Sequence, residues 1–146
     1  MNKALLLNVK NLSISFRDTK NSVEVVHSIS FHINRNEILG VVGESGSGKS
    51  VTAMTILGLL SKKKSLIGGE LLFEGQDLLS LTNENLRKLR GSKIAMIFQE
   101  PMTALNPSMT CGEQVFEIIS LHLKKPKSKI KKEVISLLKK VKLPRP

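Results

Sequence analysis

Eight residues restrict this chain more than any other stretch: Gly43, Glu44, Ser45, Gly46, Ser47, Gly48, Lys49 and Ser50. They fit the pattern G-x-x-x-x-G-K-[ST] at every fixed position. Glycines let the backbone turn tightly and point several N–H groups at one place. A helix opening at Lys49 would add the positive end of its dipole. That combination suits the α- and β-phosphates of a nucleotide. Lys49 is placed to reach the β- and γ-phosphates, and the Ser50 hydroxyl to ligate Mg²⁺. The pattern needs a strand before it and a helix after it. Residues 37–42, Glu-Ile-Leu-Gly-Val-Val, read as a short buried strand, and residues 51–57 read as helix, ending near Leu60.

The flanking sequence extends this unit. Leu12, Ile14 and Phe16 alternate with serines, and Ile29, Phe31 and Ile33 alternate with Ser30 and His32, so two antiparallel strands are expected ahead of the loop. Gly68 and Gly69 suggest a turn into a strand over residues 70–73. Thr82 can cap a helix reaching Leu89, with Glu84 in its first turn. Residues 93–98 form a second candidate buried strand. Thr110 and Glu113 match a capping box for a helix running to about Leu123, halted by Pro126. Ser128 is the expected cap of a last helix, whose apolar stripe is Ile130, Val134, Leu137, Leu138 and Val141.

Composition narrows the function classes. At 146 residues, one domain is the default. No run of eighteen apolar residues is present, so no membrane span is expected, and the apolar start of the chain is broken too soon for a signal peptide. Cys111 is the single cysteine, which fits a reducing compartment. His27, His32 and His122 lack ligand spacing. The net charge of +11 raises nucleic acid or an anionic membrane surface as partners. The excess is mostly lysine after His122, and with no Trp or Tyr there is no stacking platform, so a solvated basic face is expected and nucleic acid is not.

A second chemical site is expected at the tip of the strand over residues 93–98, because ligands of parallel sheets sit beyond the carboxyl ends of strands. Gln99 could orient water and touch the metal. Alternatively the strand is a degenerate Walker B element with Glu100 as the acid near Mg²⁺, or these residues only turn the chain.

The glycine loop, the run Met96-Ile97-Phe98-Gln99-Glu100-Pro101-Met102-Thr103-Ala104-Leu105-Asn106-Pro107, and Gly112-Glu113-Gln114 together resemble an ABC transporter ATP-binding subunit of the dipeptide/oligopeptide importer group. The resemblance covers about residues 5–143. It implies an α/β fold: a P-loop NTPase (ABC ATPase) core with an N-terminal antiparallel β-subdomain over about residues 1–100. The Q-loop and the start of a helical subdomain would follow over about 101–146. It makes residues 43–50 the Walker A loop. It makes Gln99 the Q-loop glutamine sensing Mg²⁺ and the γ-phosphate, which favours the first reading of the strand tip. Phe16 would stack on adenine, with Val25 or Val26 at the same edge. Residues 101–109 would lie near the coupling helix of a membrane subunit.

The implied cofactors are ATP and Mg²⁺. The implied partners are transmembrane permease subunits, a second ATP-binding subunit and, indirectly, a solute-binding protein, with the chain at the cytoplasmic face of the membrane. The family's LSGGQ signature, Walker B aspartate with catalytic glutamate, and switch histidine have no counterpart in these residues. The expectation is therefore an incomplete cassette that binds nucleotide and hydrolyses it poorly alone. The alternatives are a non-hydrolysing nucleotide-binding fragment and a small stand-alone P-loop NTPase using Glu100 as its acid.

Overall fold

The computed structural model describes residues 4–17, 21–99, 104–123 and 125–143. They fall into two compact units, Met1–Arg90 and Gly91–Pro146. The elements of the first are β1 (Leu5–Arg17), β2 (Ser22–Asn34), α1 (Lys49–Ile56), β3 (Ser65–Phe73), β4 (Gln76–Asp77) and α2 (Asn83–Leu89). Its strands form a four-stranded antiparallel sheet in the order β2-β1-β3-β4.

The long central strand β1 buries Leu7 and Val9, then Leu12 and Ile14. Strand side chains alternate faces, so the shift from odd to even positions requires one extra residue. That residue is Asn11, with φ 49°, at a register break in both pairings of β1. Gly69 (φ 96°) in β3 stands at the matching break, and Ser28 (φ 47°) in β2 is the extra residue of a second shift, between Leu12 and Ile14. Side chains satisfy the freed amides: Asn11 N–H donates to Ser30 Oγ at 2.8 Å, and Ser28 N–H to Ser13 Oγ at 3.0 Å. Gly68 and Gly69 are therefore not a turn, as expected, but part of β3. A Cβ on Gly69 would sit 2.4 Å from the Asn11 carbonyl oxygen, so the neighbouring backbone needs the space.

Helix α1 stops at Ile56, a turn before the expected Leu60. Gly58 takes φ 62°, its N–H donates to Thr55 O at 2.8 Å, and Leu59 N–H donates to Met54 O at 2.9 Å. This is a Schellman ending, for which a left-handed glycine is the natural residue. The Arg90 guanidinium then closes the same helix end, donating to Leu57 O and Gly58 O, both at 2.7 Å. Leu57, Leu78, Leu81 and Leu86 are buried in this unit with the sheet residues. Helix α2 begins as expected, with Thr82 Oγ1 accepting Asn85 N–H.

Neither expected buried strand pairs into the sheet among the described residues. Residues 37–42 lie outside any ladder, with Ile38 99% and Val42 94% exposed. In the second unit, residues 95–98 are likewise irregular, and Ile97 is 94% exposed. A continuous apolar run signals a strand covered on both faces, and that state requires neighbouring strands. No described segment supplies them.

The second unit holds α3 (Cys111–His122) and α4 (Lys127–Lys140). The capping box forms: Thr110 Oγ1 accepts Glu113 N–H, and Glu113 Oε2 accepts Thr110 N–H at 2.8 Å. Gln114 fastens the preceding loop to α3, accepting Asn106 N–H and donating to the Asn106 and Met109 carbonyls. Helix α4 starts from Pro126, not Ser128. Proline has no N–H to leave unpaired at a helix start, and its carbonyl accepts Lys129 N–H at 2.9 Å. Ile130 and Val134 are buried, whereas Leu137 and Val141 on the same stripe are exposed. The stripe is thus covered at its N-terminal half only.

Candidate nucleotide-phosphate site

The glycine loop leads directly into α1, as its pattern requires. Each glycine has its own reason. Gly48 is the N-cap of α1 with φ 85°, and a Cβ there would lie 2.7 Å from Val26 Cγ2 and 3.0 Å from Val25 O. Strand β2 therefore buttresses the base of the loop, with Val26 buried and Val25 half-buried. A Cβ on Gly43 would lie 2.7 Å from Ser47 Oγ, so the loop closes across its own mouth. Gly46 has φ 82° with open space around it; its requirement is conformational.

Lys49 gathers the loop. Its Nζ donates to Gly43 O at 2.7 Å, to Glu44 O at 2.6 Å and to Ser47 Oγ at 3.2 Å. It meets the main-chain carbonyl of Glu44. The Ser47 N–H donates to Glu44 O at 3.3 Å, tightening the same turn. The helix behind is anchored by Thr52, whose N–H and hydroxyl both donate to Gly48 O.

The mouth of α1 carries no side-chain cap and no acidic residue in its first turn. Helices α2 and α3 differ on both points, with Thr82 and Thr110 as caps and Glu84 and Glu113 beside them, whereas α4 shares both features with α1 but has no glycine loop before it. The first amides of a helix have no acceptor within it. At α1 they remain for an outside acceptor, with a lysine ammonium beside them and the helix dipole behind. These residues fit a polyphosphate.

Of the other expected site residues, Glu44, Ser45, Gly46 and Ser50 are exposed, Ser50 in the first turn of α1. Phe16 is half-buried near the end of β1, opposite Val23 of β2 and Ser65 of β3. Gln99 is exposed and belongs to the second unit. Glu100 and residues 101–103 lie outside the described residues. No group of three or more His, Cys, Asp or Glu able to hold a metal occurs among the described residues. Two contributors escape the motif. Val26 supports Gly48 from a distant strand, and Arg90 secures the far end of α1. Neither has a local sequence signal, because both contacts are tertiary.

A glycine loop closed by its own lysine and opening an uncapped helix is the loop-and-helix half of a P-loop; the strand that the pattern expects before it does not form among the described residues. The family model described as ABC transporter matches residues 26–145, and the chain belongs to that family. It is 44% identical over 142 residues to the oligopeptide transport ATP-binding protein OppD of Bacillus subtilis, covering 97% of this chain and 40% of that protein. It is 45% identical over 139 residues to OppD of Escherichia coli, covering 95% of this chain and 41% of that protein. The dipeptide transport ATP-binding protein DppD of B. subtilis is 43% identical over 142 residues, with 97% and 42% covered. The chain thus spans about two-fifths of the length of these relatives. Among solved structures, the ATP-binding cassette MJ0796 in a dimeric post-hydrolysis state with ADP and Pi aligns with a TM-score of 0.80 at 22% identity. That alignment covers 96% of this chain and 59% of the cassette, so the fold is part of that of an ABC ATPase cassette.

Proposed function

We propose that the chain is the ATP-binding part of an energy-coupling subunit of an ABC importer for di- or oligopeptides. The observation that carries this is Lys49 drawn into the glycine loop at the uncapped mouth of α1, in a chain 44% identical to an oligopeptide transport ATP-binding protein. In this reading the loop residues Gly43, Glu44, Ser45, Gly46, Ser47 and Gly48 wrap the phosphates of ATP. Lys49 offsets the charge of the β- and γ-phosphates. Ser50 and Gln99 hold Mg²⁺, which when bound neutralises phosphate charge. Phe16 stacks on adenine. About residues 1–100 make the β-subdomain and P-loop core, and about 101–146 the Q-loop and the start of a helical subdomain.

The whole protein would pair with a second ATP-binding subunit and dock on permease subunits at the cytoplasmic face of the membrane. A solute-binding protein would act through them. Closure on ATP and reopening after hydrolysis would drive transport. No helix among the described residues is long and apolar enough to cross a membrane, which suits a peripheral subunit. Residues 1–146 contain no LSGGQ string and no later strand ending in Asp-Glu, so the chain alone binds ATP without turnover.

Steady-state phosphate release tests this. The expected result is none above background from a chain retained on immobilised ATP. Turnover by the isolated chain, abolished by Glu100→Gln, would overturn it in favour of a stand-alone NTPase.

A further inference from the structure

We propose that the outward face of α4 is an electrostatic docking surface for an anionic lipid bilayer. This goes beyond the importer reading, because it requires neither nucleotide nor a membrane protein. The stretch 125–143 carries eight lysines and one acid, Glu133, which is engaged by Lys125 at 2.8 Å. The buried side of α4 is fixed by Ile130 and Val134. At 100° per residue the opposite side presents Lys132, Ile135, Ser136 and Lys139. Together with Lys140 these residues line a shallow, open depression. None of these five is acidic; Glu133, seven residues before Lys140, stands at the edge of that face with its charge engaged by Lys125. The lysines are exposed, and Ile135 stands among them 43% exposed.

A solvated helix face ordinarily mixes both signs of charge. A single-sign face with an aliphatic side chain at its centre matches a negatively charged surface with an apolar layer just beneath. The helix has 14 residues and so is about 21 Å long, enough to lay several ammonium groups on one plane of headgroups. Because Ile130 and Val134 are occupied within the fold, the contact is adsorption rather than insertion. Nucleic acid fits less well. The basic residues of 125–143 are all lysine, without the planar fork of arginine, and the chain has no Trp or Tyr for stacking.

The test is co-sedimentation of the 146-residue chain with phosphatidylcholine vesicles, with or without phosphatidylglycerol, at low and high salt. Binding is expected only with the anionic lipid, falling as salt rises. The triple variant Lys132→Ala, Lys139→Ala, Lys140→Ala should lose binding by about fivefold per lysine. A control triple at Lys62, Lys63 and Lys64, exposed in the first unit, removes the same charge and should retain it. Circular dichroism of both triples shows whether they stay folded. Equal binding to neutral vesicles, or equal losses in the two triples, would overturn the proposal. So would tighter binding to duplex DNA than to anionic vesicles at the same salt.

Discussion

Gly48 and Gly46 both sit at positive φ in the same loop, yet they should not respond alike to substitution. Alanine at Gly48 meets the Val26 side chain at 2.7 Å in addition to its backbone strain, whereas alanine at Gly46 meets nothing within 4 Å. Gly48→Ala is therefore expected to cost about 2–3 kcal/mol and Gly46→Ala about 1 kcal/mol in chemical denaturation. Equal losses would mean that β2 does not support the loop.

Glu113 offers a pH test at the same scale. Hydrogen bonds from the backbone N–H of Thr110, then from its hydroxyl, favour the ionised carboxylate and hold its pKa below the ordinary value of 4.5. A depressed folded-state pKa gives a contribution that is complete above pH 4.5 and disappears as pH falls through the lowered value. Amide protection factors in the first turn of α3, which correct for the intrinsic pH dependence of exchange, should fall over that acid window. In Glu113→Gln, which can keep one hydrogen bond but not the charge, the step should be absent.

At the scale of elements, α1 shows what local sequence can and cannot convey. Its start was legible because the glycine motif prescribes it. Its end was not, because Gly58 and Arg90 act together across 32 positions. Arg90→Leu removes two charge-assisted bonds to the helix end and should lower stability by about 1–2 kcal/mol, read as a downward shift in the unfolding midpoint. The caps of α2 and α3 were legible, since Thr82 and Thr110 act on amides three residues away. The cap of α4 was misread. Ser128 has cap chemistry, but Pro126 two residues earlier accepts the N–H of Lys129 and of Ile130 and has no N–H of its own to leave unpaired. The bulge at Asn11, faced by Gly69, and the separate one at Ser28 were invisible too, because they exist only once the strands are in register.

For the molecule as a whole, apolar content marked residues 37–42 and 93–98 as buried strands, and the structure pairs neither into the sheet, because periodicity cannot say whether partner strands are present. The exposed Ile38, Val42 and Ile97 are the outcome. Such surface predicts that the 146-residue chain binds a hydrophobic dye and self-associates as concentration rises, and that Ile38→Lys with Val42→Lys reduces both. Light scattering unchanged by the pair would contradict that account. The candidate phosphate loop was legible at residues 43–50, where one motif names its residues, whereas the roles proposed for Phe16 and Gln99 rest on family resemblance.

The central claim is that the loop and the mouth of α1 bind a nucleotide triphosphate through Lys49. Its most direct test is an equilibrium titration of the folded chain with ATP and Mg²⁺, set beside Lys49→Ala at matched stability. The account predicts saturable binding by the native chain, weakened at least tenfold in the variant and competed by ADP and inorganic triphosphate. Indistinguishable curves for the two proteins, or no saturable signal from a chain shown to be folded, would contradict it.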